Sequence, residues 1–115
     1  MLASNEIQLG EVIKENVNAE IEKQIGQSAV VLYMKGNSQL PQCGFSAQVV
    51  QILNLLKVEY KTVDILKNEI LREEIKRYSN WPTLPQLFIK QKFVGGCDII
   101  TQMYQDGSLE ELVTG

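Results

Sequence analysis

The sequence predicts a single α/β domain in which a small four-stranded mixed sheet is flanked by helices. Two strand-like runs, residues 29–34 and 60–65, are separated by one helix-length amphipathic stretch, which is typical of parallel neighbours joined by a right-handed crossover. Two shorter runs, residues 86–90 and 93–94, are spaced as an antiparallel hairpin, although Lys90-Gln91-Lys92 lacks the usual Asn-Gly turn. Amphipathic segments around these strands complete the order α-β-α-β-α-β-β-α-α.

The first two helices are predicted from apolar residues that recur with a helical period. The first covers Val12 to Ile25, as one helix or two short ones, and Gly26 ends it. The second begins at or just after Cys43, following a loop that contains Pro41. The predicted apolar faces are Ile13, Val17, Ile21 and Ile25 in the first helix, and Phe45, Val49, Ile52, Leu53 and Leu56 in the second.

The later helices are predicted from capping residues as well as from period. Asn68 is a typical N-cap of the third helix. Gly95-Gly96 opens the fourth helix, Gly107 ends it, and Ser108-Leu109-Glu110-Glu111 matches a capping box for a short fifth helix. The apolar residues are Ile70, Leu71, Ile75 and Tyr78, all predicted to face inward, in the third helix, and Ile99, Ile100, Met103 and Tyr104 in the fourth.

Composition excludes several classes of function. The net charge of −3 argues against a nucleic-acid partner, and the apolar runs are far too short to cross a membrane. The chain has no histidine, which rules out imidazole bases and histidine metal ligands. Its two cysteines are too few for a disulfide-stapled scaffold or for a four-thiolate metal site supplied by one chain.

The N-terminal segment is set apart from the domain. Residues 1–18 are interpreted as an extension of unknown role, within which Met1 to Gly10 shows no clear period, and residues 19–115 form the domain. Met1 to Gly10 has no basic region followed by an apolar stretch, as a signal peptide would, and the glutamates between Glu6 and Glu22 are untypical of a transit peptide. We therefore expect a reducing compartment, either bacterial cytoplasm or a mitochondrial or plastid matrix.

Cys43 is the strongest candidate for chemistry. It follows a predicted strand and loop and stands where a helix starts, so unpaired backbone N–H groups and the helix dipole favour its thiolate. The alternative interpretation is an ordinary buried cysteine that packs as a small apolar residue.

The residues around Cys43 resemble one family. Cys43-Gly44-Phe45-Ser46 is the CGFS sequence that characterises the monothiol glutaredoxins. Further segments resemble that family in the same order and spacing, over about residues 19 to 113: Met34-Lys35-Gly36, Pro41, Trp81-Pro82-Thr83-Leu84-Pro85-Gln86 and Val94-Gly95-Gly96-Cys97-Asp98. The resemblance implies a thioredoxin fold and a site for glutathione.

Ser46 limits the redox chemistry. In a dithiol enzyme, a second cysteine at this position resolves the mixed disulfide by intramolecular attack. A serine hydroxyl cannot do so, and resolution would need a second glutathione or Cys97. We therefore expect weak activity as a general disulfide reductase.

The resemblance also implies an iron–sulfur cargo. A two-iron two-sulfur cluster takes four thiolates, and Cys43 is the one thiolate of this chain predicted to be available. The family arrangement is a cluster-bridged homodimer in which Cys43 of each copy and two glutathione thiols are the ligands. By resemblance, the further partners are BolA-like proteins and apo iron–sulfur proteins.

By the same resemblance, a set of residues forms the glutathione site. Lys35 and Arg72 would pair with the glycine carboxylate, and the backbone of Leu84 would bind the cysteinyl unit. A cis bond is expected before Pro85. The γ-glutamyl end would be received by Gly96, Cys97 and Asp98, with Asp98 accepting from the amine, and Phe45 and Thr83 complete the site.

Several of these residues have alternative interpretations. Lys35 and Arg72 could be solvated surface charges. Trp81 could cover the edge of the core or support the loop that follows it. Cys97 could be a small residue at a tight helix start, a redox partner of Cys43 or a glutathionylation site. Gly95-Gly96 could admit a ligand or serve only as a strand-to-helix turn.

Three functions remain open from the sequence. The first is a carrier of iron–sulfur clusters, and the second is a glutathione-dependent oxidoreductase that acts on glutathionylated proteins through Cys43. The third is an adaptor with no chemistry of its own. Ser46 and the shortage of thiolates favour the first.

Overall fold

The computed structural model describes residues 15–115, which form a four-stranded sheet in the order β2-β1-β3-β4. The strands are β1 (Val30–Met34), β2 (Lys61–Asp64), β3 (Gln86–Ile89) and β4 (Lys92–Gly95). Strand β1 pairs with β2 in parallel and with β3 antiparallel, and β3 and β4 form an antiparallel hairpin. The predicted mixed sheet is confirmed.

Helices pack on both faces of the sheet within the described residues. They are α1 (15–25 in the described part), α2 (Gly44–Leu56), α3 (Glu69–Ser79), α4 (Cys97–Asp106) and α5 (Ser108–Thr114), with a 3₁₀ turn at Ile65–Lys67. Val12 and Ile13 of the predicted first helix lie outside the described residues, as does most of the predicted extension 1–18. The boundary at residue 18 stays a prediction.

Strand β1 is buried on both faces, as its continuous apolar sequence predicts. Leu32 and Met34 belong to the core cluster between the sheet and helices α2, α4 and α5. Val31 and Tyr33 belong to the cluster on the opposite face, with α1 and α3. Because both faces of β1 are packed against helices, the position of the strand is fixed. Lys35 and the loop that follows it therefore lie at a defined edge of the sheet.

Some positions predicted to face the core are exposed. Phe45, in the first turn of α2, is 61% exposed because its neighbour Ser46 takes the buried position in that turn. Ile70 is 53% exposed because its neighbour Leu71 takes the inward position in the first turn of α3. Tyr78 is also exposed, although its ring still contacts that of Phe88 at a centroid distance of 6.3 Å.

The predicted capping box at Ser108 is wrong. Gly107, with φ of +86°, is the N-cap of α5, and Ser108 is the first residue of the helix. The Ser108 hydroxyl instead donates to the carbonyl of Met103, and its backbone N–H donates to Asp106 Oδ1 at 2.8 Å. The reason is the one-residue connection between α4 and α5, which leaves no extended residue to act as a cap.

The hairpin turn adopts positive φ angles without glycine. Lys90 and Gln91 have φ of 52° and 70°, as the central residues of a type I′ turn require. The pairing of β3 with β4 imposes this geometry on residues that do not favour it.

In the part of the chain that the structure describes, no helix combines the length and the apolar character that crossing a bilayer requires.

Gly36 stands at the tight turn that follows β1, and we expect Gly36→Ala to be destabilising. Its φ is +89°, and a Cβ there would lie 2.5 Å from the carbonyl oxygen of Leu40 and 2.8 Å from the backbone nitrogen of Gln42. Urea unfolding should show a free energy of unfolding lower by about 1–3 kcal/mol.

Gly44→Ala is the matched control, because a Cβ at Gly44 meets no heavy atom within 4 Å. Its stability should equal that of the parent or exceed it by up to about 1 kcal/mol. Equal stability of the two variants would contradict the assignment of strain to Gly36.

Candidate functional site

A cavity of about 510 Å³ lies at the edge of the sheet where β1 ends and where α2 and α4 begin. Its volume is in the range of small-molecule sites. Its lining residues come from five separate segments of the chain: Lys35, Cys43, Phe45, Arg72, Lys76, Trp81, Pro82, Thr83, Leu84, Pro85, Gly96, Cys97 and Asp98.

Cys43 is placed by the loop between β1 and α2. The backbone N–H of Gln42 donates to the carbonyl of Lys35 at 2.8 Å, which closes the loop immediately before the cysteine. Cys43 is the N-cap residue of α2, with extended backbone angles, and its thiol is partly exposed. The sulfur is therefore accessible from the cavity and lies beside the free N–H groups of the first helical turn.

These surroundings lower the pKa of the Cys43 thiol. The main cause is the backbone N–H of Ser46, and desolvation opposes it. The backbone N–H of Phe45, the Lys35 ammonium and the Ser46 hydroxyl lower the pKa further. The side chain of Cys43 does not close a full capping hydrogen bond, so these groups act on Sγ mainly through their electrostatic field. The thiolate predicted from the sequence is thus favoured.

Ser46 is fully buried beneath the cysteine. Its Oγ accepts a hydrogen bond from the backbone N–H of Lys35 at 3.2 Å, which ties the end of β1 to the first turn of α2. The residue that takes the place of a resolving cysteine therefore holds together the two segments that carry Lys35 and Cys43.

One wall of the cavity is basic. Arg72 and Lys76 project from α3. The N-cap of this helix is Asn68, whose side chain accepts from the backbone N–H of Leu71 at 3.0 Å. The predicted N-cap is confirmed. Lys35 adds a third cation from the end of β1, while Lys76 also contacts Glu73 at 2.9 Å.

The opposite wall is the N-terminus of α4. Gly96 is its N-cap, and Cys97 and Asp98 are its first two residues. Free backbone N–H groups at such a start favour a carboxylate ligand. A Cβ at Gly96 would lie 3.1 Å from Trp81 Nε1, so this glycine admits a protein side chain into close contact.

The floor of the cavity is the loop 81–85. The Leu84–Pro85 peptide bond is cis, as the resemblance to the family implied. Leu84 directs its side chain into the core, and Thr83 is exposed. Trp81 lies against Phe93 at a centroid distance of 5.7 Å, so it both covers the edge of the core and lines the cavity.

Cys97 has the opposite electrostatics to Cys43. Burial is the main cause of a raised pKa for its thiol, and the charges of Asp98 and Cys43 raise it further, against a hydrogen bond with Thr101. Both cysteines are free thiols that line the same cavity. The three interpretations of Cys97 stay open.

The ten residues predicted for the site all line this one cavity. Sequence reasoning missed Lys76 as a lining residue and assigned no role to Pro82, which also lines it. Lys76 could have been found, since it lies four residues after Arg72 and hence on the same helical face. Nothing in the local sequence indicates that Pro82 faces the cavity.

The family model and the similar sequences all point to glutaredoxins. The family model of glutaredoxin matches residues 30–94. Probable monothiol glutaredoxin 2 of Rickettsia felis is 50% identical over 102 residues, which cover 88% of this chain and 98% of the relative. The chain belongs to the monothiol glutaredoxin family. The chloroplastic monothiol glutaredoxin-S7 of Oryza sativa subsp. japonica is 52% identical over 95 residues, covering 83% of this chain and 56% of the relative.

Solved structures confirm the thioredoxin fold of this glutaredoxin. The solution structure of reduced apo GrxS14 from poplar has a TM-score of 0.77 at 48% identity, and the match covers 85% of this chain and 90% of that one. A crystal structure of a buckwheat glutaredoxin–glutathione complex has a TM-score of 0.79 at 20% identity, covering 88% and 90%.

The two cysteines of this glutaredoxin should separate in a pH titration of thiol alkylation. The thiolate is the reactive form, so a lowered pKa keeps Cys43 reactive to lower pH, and a raised pKa delays Cys97. Rates of iodoacetamide labelling, read by mass spectrometry in Cys97→Ser and Cys43→Ser, should give a lower midpoint for Cys43. Coincident midpoints would contradict the assigned surroundings.

Proposed function

We propose that this glutaredoxin binds glutathione in the cavity and, with Cys43 and the glutathione thiol, carries a two-iron two-sulfur cluster bridged between two copies. The observation that carries the proposal is the placement of one accessible cysteine of lowered pKa inside a cavity with a basic wall and a helix N-terminus. The cluster is the cargo, delivered to apo iron–sulfur proteins with BolA-like proteins as partners.

Glutathione matches the charges of the cavity. The tripeptide carries two carboxylates and one amine, so it needs anion donors at both ends and an acidic group at one. Lys35 and Arg72 would pair with its glycine carboxylate, and the free N–H groups at the start of α4 would bind the γ-glutamyl carboxylate. Asp98 would accept from the amine, and the backbone of Leu84 would bind the cysteinyl unit.

The remaining residues of the site shape the same ligand. Phe45 and Thr83 are exposed at the rim of the cavity, and Pro85 forms part of its floor. The buckwheat glutaredoxin of the same fold was crystallised with glutathione, which supports a glutathione site in this fold.

Ligand counting supports the shared cluster. A two-iron two-sulfur cluster takes four thiolates. The chain has two cysteines and no histidine, and its described residues contain no group of three or more Cys, Asp or Glu side chains arranged to hold a metal ion. Cys43 from two copies and two glutathione thiols would complete the set. Cys97, with its raised pKa, is the poorer ligand.

The composition and the matching relatives support a cellular compartment and a class of partner. Matching relatives include a bacterial and a chloroplastic protein, which supports a reducing bacterial cytoplasm or organelle matrix as the compartment. A net charge of −3 favours protein and glutathione as partners over nucleic acid.

Anaerobic reconstitution with iron, sulfide and glutathione tests the proposal. The parent should become coloured, with visible absorption from the cluster, and should elute as a dimer in size-exclusion chromatography. Cys43→Ser should remain colourless and monomeric, because it removes the protein ligand. Cys97→Ser is the matched control and should retain colour.

Colour of equal intensity in Cys43→Ser, or in the parent without glutathione, would exclude the proposed ligand set. Loss of colour in Cys97→Ser alone would transfer the ligand role to the other cysteine.

The lowered pKa of Cys43 also favours a second function, removal of glutathione from protein mixed disulfides. The Cys43 thiolate would attack the glutathione sulfur, releasing the protein thiolate and forming a Cys43–glutathione disulfide. A second glutathione thiolate would then attack that disulfide, giving oxidised glutathione and restoring Cys43. Buried Ser46 cannot supply this second step.

A deglutathionylation assay with a glutathionylated peptide separates the two functions. Because resolution is intermolecular, the rate should be far below that of a dithiol glutaredoxin assayed in parallel and should rise with glutathione concentration. A rate that equals the dithiol enzyme would favour the second function over the cluster carrier.

A further inference from the structure

Gln86 is a buried polar residue for which the proposed chemistry has no role. It is the first residue of β3 and is fully buried on the sheet face that carries Tyr33 and Phe88. Its Nε2 donates to the carbonyl of Trp81 at 3.1 Å and to the carbonyl of Thr83 at 3.2 Å. Both amide protons are therefore directed at the loop that forms the floor of the cavity.

Packing alone does not explain a glutamine at this position. Gln86 Oε1 is buried and has no hydrogen-bond partner, which costs free energy that an apolar side chain of similar size would avoid. The two hydrogen bonds that the amide donates offset this cost. Both acceptors lie within the loop 81–85.

Trp81 and Leu84 pack against the core, but the loop has few backbone N–H groups with which to fix its shape. Pro82 and Pro85 have no N–H groups, and Trp81 anchors the start of the loop by donating its backbone N–H to Lys76 at 3.0 Å. After that anchor, the side-chain amide of Gln86 donates a hydrogen bond to the carbonyl of Thr83, the residue before Leu84. The bond at Thr83 therefore restrains the backbone immediately before Leu84, which lines the cavity.

We propose that Gln86 is a positioning residue that sets the Thr83–Leu84 backbone for pairing with the peptide portion of the ligand. The inference rests on the proposed glutathione site and specifies how that site recognises an extended peptide backbone. Gln86 does not touch the ligand. It acts through the two carbonyl groups that it holds.

Calorimetric titration of reduced glutathione into the full chain tests this role. Gln86→Met keeps the size of the side chain and removes both donors, and it should weaken glutathione affinity about tenfold, which corresponds to about 1.4 kcal/mol. Leu87→Met is the matched control, since Leu87 is the next residue of β3, is equally buried and faces the opposite core cluster. Its affinity should stay within about twofold of the parent.

Cysteine reactivity separates positioning from a general loosening of the fold. Cys43 is held by the start of α2, so its alkylation rate should be the same in the parent and in both variants. The alkylation rate of the more buried Cys97 should also be unchanged. Weaker glutathione binding accompanied by faster labelling of both cysteines would indicate partial unfolding and would overturn the proposal.

The remaining outcomes are also distinguishable. If the parent binds glutathione and Gln86→Met binds it equally well, the positioning role is wrong while the proposed function stands. If the parent does not bind glutathione, both fail. If Gln86→Met does not fold, the side-chain amide resonances of Gln86 in the ¹⁵N-labelled parent decide: a shift on adding glutathione supports the role, and unchanged resonances overturn it.

Discussion

Burial of β1 on both faces is the constraint on which the rest of the molecule depends. All five of its residues are buried, and they divide between the two core clusters. Because neither face is free to slip, the strand ends at one defined place, where Lys35 bonds to the hydroxyl of Ser46. That bond sets the start of α2, and the start of α2 sets the position of the Cys43 sulfur.

The cavity combines groups of opposite character around that sulfur. On one side lie Lys35, which follows β1, and the two cations of α3, Arg72 and Lys76. On the other side lies the N-terminus of α4 with Asp98. The two cysteines share the cavity, yet backbone N–H groups lower the pKa of Cys43 while burial raises that of Cys97. The direction of the pKa shift therefore distinguishes the two thiols that line the cavity.

Prediction succeeded where short-range patterns carry the information. The strands and the N-cap at Asn68 follow from local sequence. The ten residues named from the CGFS resemblance line one cavity, and their roles there stay predictions. It failed where the packing of a neighbour or a short connection decides: Ser46 takes the buried position in place of Phe45, and the one-residue connection before Ser108 leaves no place for a capping serine. The glycine-free type I′ turn at Lys90 and Gln91 is likewise imposed by strand pairing.

The sequence by itself determined the order of elements and the family, and it marked Cys43 as the candidate nucleophile, because periodicity, capping residues and the spacing of motifs are properties of the chain. Only the tertiary structure decided that Pro82 lines the cavity, and that Ser46 and Gln86 hold the segments around it. Those roles depend on contacts between residues that are separated by the sheet or by the turn of a loop. A linear pattern does not encode such distances, since they exist only after two cores have closed around β1.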